Sequence, residues 1–276
     1  MADWMTCAAK TLAGGHEDRC EAGHGRQHYR TLQKVTLGAR VLPDCPAAPQ
    51  TLSWMMHTFA ADEYRGIVGY CPADDEVSRG IAANGVWEPW ESALVVAILA
   101  DVEVPSSAVF VDFGAHVGWY TLLAAVMGYQ VLAVDSDPEL VEMIEMSCSL
   151  NSVADDVTAV RGWVDATKAP LPVGQAVRLA KIDVEGADHE ATRMLGPLLA
   201  DGNVDYVLVE LSPEFGTAWL SVVGDLSDAG LEGFLVPTKG DDVAAYEADP
   251  LGETLRRPLR VADVDRQCSV LFTRPS

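Results

Sequence analysis

Short apolar runs rich in β-branched residues recur along the chain at residues 109–113, 131–134, 157–160, 177–182, 204–211, 231–236 and 268–272. Each has strand length. Between most of them lie stretches of helical length and period, at residues 119–127, 138–150, 187–199 and 213–229. Strands alternating with helices predict a parallel sheet covered on both faces, because each parallel crossover needs a long connection to reverse the chain. The expected fold class is therefore α/β, a doubly wound Rossmann-like sheet. Two helix starts carry their own chemistry. Asp137 before Pro138 and Ser212 before Pro213 each offer a capping oxygen ahead of a residue suited to the first helical position.

Upstream of about residue 100 the pattern is broken by Gly14-Gly15, Gly23, Gly25 and the proline cluster at 43–49. An irregular N-terminal extension is expected there. The longest apolar run, residues 93–100, is far shorter than the roughly 20 residues a spanning helix needs. Residues 1–15 lack the apolar centre of a signal peptide, so no membrane span and a cytoplasmic address are expected. Six cysteines scattered through 276 residues, without paired short spacing, argue for reduced, packed thiols over a disulfide framework.

The 41 acidic residues against 19 basic ones give a formal charge of -22. A field of that sign repels polyanions, which excludes a nucleic-acid partner held by phosphate neutralisation and weighs against an anionic membrane surface. His16, Cys20, His24 and His28 recur every four residues and would align four metal ligands on a helix. The surrounding glycines oppose that helix, and no metal site is expected. Asp112, Asp183, Glu185 and Glu210 could instead gather around magnesium, though their spacing does not require it.

Chemistry is expected where glycine turns follow strands at the carboxyl edge of the sheet. The first such turn contains Asp112, Gly114, Ala115, His116 and Gly118. Its glycines permit a sharp turn and close approach of a ligand to the amides opening the next helix. The next predicted strand leads into Asp135 and Ser136, with Asp135 21 residues past Gly114. An acid at that strand tip can accept from both hydroxyls of a ribose. The missing third glycine of a dinucleotide fingerprint and the acid at Asp112 favour a nucleoside without pyrophosphate, whose cationic groups tolerate carboxylates. S-adenosylmethionine meets that description; NAD is the competing cofactor. Trp163, after the third strand, is either an adenine-stacking ring or a core aromatic.

These residues also carry a family resemblance. Residues 109–123 (VFVDFGAHVGWYTLL), 131–138 (VLAVDSDP), Asn151 and 181–195 (KIDVEGADHEATRML) resemble the FkbM-type family of S-adenosylmethionine-dependent methyltransferases. The segment 86–91 (VWEPWE) is similar to the acidic and aromatic stretch preceding the first strand in that family. The likeness spans roughly residues 80–215. It implies a seven-stranded sheet whose last strand, near 268–272, runs antiparallel, and O-methylation of a hydroxyl on a sugar, glycolipid or polyketide-like molecule. The expected organisation is an extension over 1–80 that covers the substrate, and a methyltransferase domain over 81–276. His116 stands where the family commonly has Asn, and Asp188 where it has Glu.

Methyl transfer to oxygen requires a hydroxyl held in line with the activated carbon and a group to take its proton. Asp183, after the fourth strand, is the first candidate, with Glu185, His189 and Glu210 behind it. Their structural alternatives are that Asp183 and Glu185 pin the Glu185-Gly186 turn through backbone amides, and that His189 is a solvated helix residue. For Asp112 the alternative is a bond within the glycine turn that shapes the pocket from below. Two other functions stay open: a nicotinamide-dependent oxidoreductase, and a nucleoside-binding module without catalysis.

Overall fold

A computed structural model describes residues 39–41, 51–60, 63–72, 75–84, 86–100, 107–162, 175–237 and 243–275. The repeated strand–helix pattern becomes a seven-stranded sheet. Its strands are β4 (Val109–Phe113), β5 (Gln130–Asp135), β6 (Val157–Arg161), β7 (Val177–Ile182), β8 (Val204–Leu211), β9 (Glu232–Leu235) and β10 (Cys268–Thr273). They lie in the order β6-β5-β4-β7-β8-β10-β9. Every pair from β6 to β8 is parallel, and β10 runs antiparallel to both β8 and β9. All seven predicted strands form, with the antiparallel last strand that the resemblance implies. The chain leaves β4 for β5 and β6 and returns on the other side as β7, which creates a switch point between the carboxyl ends of β4 and β7.

Strand alternation sorts the core into two layers. Phe110, Val131, Ala133, Leu179, Leu208 and Leu271 face one cluster, with residues of α2 (Pro89–Ala100), α3 (Trp119–Val126) and α4 (Pro138–Leu150). Val111, Phe113, Ala180, Ile182, Val207 and Phe272 face the other, under α5 (Asp188–Ala200) and α6 (Trp219–Asp228). The longest apolar run in the sequence lies in α2, which buries Leu94, Val95, Val96, Ile98 and Leu99 against the sheet. Among the described residues no helix is long and apolar enough to cross a membrane.

The cap expected at Asp137 forms, its carboxylate accepting from Glu139 N at 2.8 Å. That at Ser212 does not. The segment 213–229 splits into a 3-10 turn, Pro213–Phe215, and α6, because Gly216 at φ 109 turns the chain out of the helix. The region read as irregular holds strands β1 (Ala39–Val41), β2 (Thr51–Ala60) and β3 (Glu63–Pro72), joined in an antiparallel sheet with β3 beside α4. Helix α1 (Glu76–Asn84) follows, and its Ile81 is fully buried in the first core layer. The His16, Cys20, His24 and His28 set lies outside the described residues.

Candidate active site

The alternation that faces Phe110, Ala133, Leu179 and Leu208 inward sends Asp112, Asp135, Lys181, Asp183 and Glu210 to the same face, one or two pleats nearer the carboxyl edge. They meet the connection between α1 and α2, which supplies Glu88. Together with the glycine turn these residues frame a cleft of about 710 Å³, within the range of small-molecule sites.

The turn itself is fixed by shape. Gly114 sits at φ 78, and a Cβ there would fall 1.8 Å from the carbonyl oxygen of Asp183. Only glycine allows the turn to lie this tightly on the end of β7. Gly118, at φ 81, packs on Ile144, whose Cγ1 would be 2.9 Å from an added Cβ; it is not part of the cleft wall. The expectation that the turn's amides are open to a ligand is corrected at four positions, one of them Gly118 N, which donates to the Ala115 carbonyl at 2.8 Å. Gly114 N and Ala115 N donate to the Val134 carbonyl, and His116 N donates to Asp135 Oδ2 at 2.8 Å. Asp135 also accepts from Asp137 N at 2.9 Å through Oδ1. A carboxylate has about four acceptor positions, so Asp135 retains acceptor capacity at the cleft, which it lines with Ser136.

His116 adopts φ 50, a left-handed conformation that Asn tolerates well. Its Nε2 lies 3.2 Å from Asp75 Oδ1, while Asp75 Oδ2 caps α1 by accepting from Ser78 N at 2.7 Å. The start of α1 is thereby tied to the glycine turn.

Glu88, Asp183 and Glu210 come together on the opposite wall, each offering an oxygen within 4.8 Å of the others. Lys181 Nζ donates to Asp183 Oδ2 at 2.7 Å and stands 4.7 Å from the centre of the Tyr120 ring. Tyr120 OH donates to Glu88 Oε2 at 2.7 Å, and Gln267 donates to Glu210 Oε1. Burial alone would lower the Lys181 pKa, but Asp183, Glu88 and Asp112 outweigh it and hold the ammonium charged. The carboxyls also rise, which favours their neutral forms. Burial raises Glu88, and burial followed by repulsion from Asp183 lifts Glu210 to about 7. Glu91 on α2 also rises to about 7, through burial and then its neighbour Glu88.

The remaining candidates divide. Glu185 lines the cleft, exposed, at φ 47. The turn it shares with Gly186 is pinned by a different acid: Asp188 accepts from Val184 N at 3.2 Å and Gly186 N at 3.3 Å. Neither Asp183 nor Glu185 does that work. His189 lies off the cleft wall, its Nδ1 2.7 Å from Glu190 Oε2. Asp112 lies beneath the wall, 1% exposed. Its Oδ2 accepts from Thr121 Oγ1 at 2.6 Å and its Oδ1 has no partner. Burial raises its pKa to about 6, with Lys181 pulling back. Trp163 falls outside the described residues.

Four wall residues were not singled out as site residues from the sequence: Glu88, Lys181, Tyr120 and Gln267. Lys181 had a readable signal, a cation in a strand otherwise apolar apart from Arg178. Glu88 lies in the acidic and aromatic segment that carries part of the resemblance. Tyr120 and Gln267 carry no comparable mark.

No family model matches the chain, and no curated protein matches it. Solved structures do. A TehB-like SAM-dependent methyltransferase from Corynebacterium glutamicum is 17% identical, with a TM-score of 0.44 over 71% of this chain and 94% of that one. A SAM-dependent O-methyltransferase from Thermotoga maritima is 12% identical, with a TM-score of 0.45 over 80% and 77%. A geranyl diphosphate methyltransferase in complex with SAM is 14% identical, with a TM-score of 0.43 over 67% and 86%.

Proposed function

We propose that the protein is an S-adenosylmethionine-dependent methyltransferase of the FkbM type, and that it methylates a hydroxyl on a sugar, glycolipid or polyketide-like molecule. The observation that carries this reading is the joining of two walls in one cleft. One is a glycine turn with an acid at the tip of the next strand; the other is a cluster of carboxylates, two of them with raised pKa. The first suits a nucleoside and the second suits proton removal.

The charges on the walls choose between cofactors. Eight acidic residues and one lysine, with no arginine, are among the described residues lining the cleft. A pyrophosphate would bring two negative charges into that field without a basic partner at the turn, where Asp75, Asp135 and Asp137 stand. S-adenosylmethionine brings a sulfonium and an ammonium instead. Gly114 shapes its side of the cleft, and Asp135 would receive its ribose hydroxyls.

When bound, the sulfonium supplies a methyl carbon already activated for displacement. The work left to the chain is to align an oxygen, take its proton and keep water out. Asp183, Glu88 and Glu210 surround the position for that oxygen. With such a cofactor bound, a carboxylate of this wall would take the proton that the acceptor hydroxyl gives up as its oxygen receives the methyl group, and the spent cofactor would leave uncharged at sulfur. Lys181 holds Asp183 in place through its 2.7 Å hydrogen bond. Asp183 accepts or orients, and Glu210, near 7, is poised to exchange the proton with solvent.

The test is a transfer screen with methyl-labelled S-adenosylmethionine against sugar, glycolipid and macrolide hydroxyls, read by product mass. Label on an acceptor oxygen is the expected result. Label only on nitrogen or carbon acceptors would overturn the O-methylation reading.

A further inference from the structure

Glu88 holds its place through a clamp that grows out of the glycine turn. Its backbone is at φ 41, a left-handed conformation unfavourable for a non-glycine residue. Both flanking peptide groups are held. Trp119 Nε1 donates to Ser92 Oγ at 2.8 Å, Ser92 Oγ donates to the Trp87 carbonyl at 2.6 Å, and Ser92 N donates to the Glu88 carbonyl at 2.8 Å. The side chain is held by Tyr120 OH at 2.7 Å. Trp119 and Tyr120 are consecutive, directly follow Gly118, and are almost fully buried. The turn that shapes the cofactor side therefore also sets the opposite wall.

We propose that Glu88 is the charge-selecting residue of the cleft, oriented by Tyr120 so that its carboxylate favours the cationic sulfonium of S-adenosylmethionine over neutral S-adenosylhomocysteine. This rests on the methyltransferase reading. If the hydroxyl proton passes to this wall during displacement, the sulfonium stands roughly one oxygen and one carbon beyond the carboxylates. Of the three acids, Asp183 is already matched by Lys181 at 2.7 Å. Glu210 is held by Gln267 at the solvent side. Glu88 takes its hydrogen bonds from neutral donors, the Tyr120 hydroxyl and the Trp87 side chain, and Lys181, which also faces it, makes its salt bridge with Asp183. A charge fixed before the ligand arrives acts without reorganisation cost. The donor is thereby favoured and the spent cofactor released.

The experiment is calorimetric titration of S-adenosylmethionine and S-adenosylhomocysteine into the wild type, Glu88→Gln and Tyr120→Phe at pH 8, with a melting curve for each protein. A unit charge at about 6 Å and an effective dielectric of about 40 changes affinity about tenfold. Glu88→Gln is expected to reduce the preference for S-adenosylmethionine by about that factor, chiefly by weakening that ligand. Tyr120→Phe moves the ratio the same way by a few fold, because the carboxylate stays but loses its hold. General damage to the fold would weaken both ligands alike. An unchanged ratio in Glu88→Gln overturns the inference, and if that variant does not fold, an unchanged ratio in Tyr120→Phe does so. Should the wild type bind neither ligand, the methyltransferase reading falls as well; should it bind both, only the charge-selecting role is at stake.

Discussion

Replacing Asp112 by Asn should change how stability depends on pH more than stability itself. Asp112 is 1% exposed, its Oδ1 has no partner, and its pKa rises from 3.8 to about 6. The folded state therefore binds a proton more tightly than the unfolded state. Stability falls as pH rises from about 4 through about 6, and the loss persists above that window. A shift of this size corresponds to about 3 kcal/mol by pH 8, roughly half of which accrues between pH 5 and 8. Asparagine abolishes the titration, but sets an amide where Oδ1 lacks a partner, or turns it onto Thr121 and loses that bond, at a cost of about 1–3 kcal/mol that does not vary with pH. The two effects nearly cancel at pH 8, so a single measurement there decides little. The difference between wild type and Asp112→Asn, followed by urea unfolding from pH 5 to 8, isolates the titrating part. Asp112→Asn should gain on the wild type by about 1–2 kcal/mol across that interval, equivalent to several degrees in melting temperature for a domain of this size. Parallel curves would show that Asp112 does not carry a raised pKa and would remove the argument for a strained charge beneath the glycine turn.

Gly114→Ala puts a Cβ 1.8 Å from the Asp183 carbonyl at φ 78; a loss of at least about 3 kcal/mol in unfolding free energy is expected, and a near-wild-type melting curve would refute the turn geometry. Lys181→Met leaves Glu88, Asp183 and Asp112 without the buried cation that faces them. It should cost about 3–5 kcal/mol at pH 8 and markedly less at pH 5, where Asp112 takes up a proton; a pH-independent loss would contradict the ion network. Asp183→Asn should leave cofactor affinity within about threefold while slowing transfer by roughly 10²-fold or more, the range of a positioned base or orienter. Unchanged turnover with an acceptor from the screen would reduce Asp183 to an anchor for Lys181.

The parts of the molecule that the sequence made legible are those governed by local rules. Short apolar runs marked every strand of the large sheet, and the Asp137-Pro138 pair marked the start of α4 with its cap. Gly114 and Asp135 could be placed because a switch point follows from strand order and glycine turns announce themselves. The opposite wall was less legible because it is assembled across the chain. Glu88 reaches it from a connection between helices, Gln267 from the approach to β10, and Tyr120 through a helix face that otherwise reads as core. Asp188 illustrates a second limit: an acid two residues after Gly186 pins the turn, although Glu185 sits within it. The three-stranded sheet before residue 75 was hidden by glycine and proline punctuation around it. His116 adopts a left-handed backbone and its ring contacts Asp75, neither of which its place in the glycine turn announced.

The central claim is that the cleft takes S-adenosylmethionine, with Asp135 at its ribose. Calorimetric titration of S-adenosylmethionine and NAD into the wild type and Asp135→Ala tests it most directly. One equivalent of S-adenosylmethionine should bind the wild type, with no heat from NAD. Removing the carboxylate should weaken binding by about 1.5–3 kcal/mol, the worth of hydrogen bonds to a charged acceptor, and lower the melting temperature as His116 and Asp137 lose their acceptor. Saturable binding of NAD with none of S-adenosylmethionine would contradict the account.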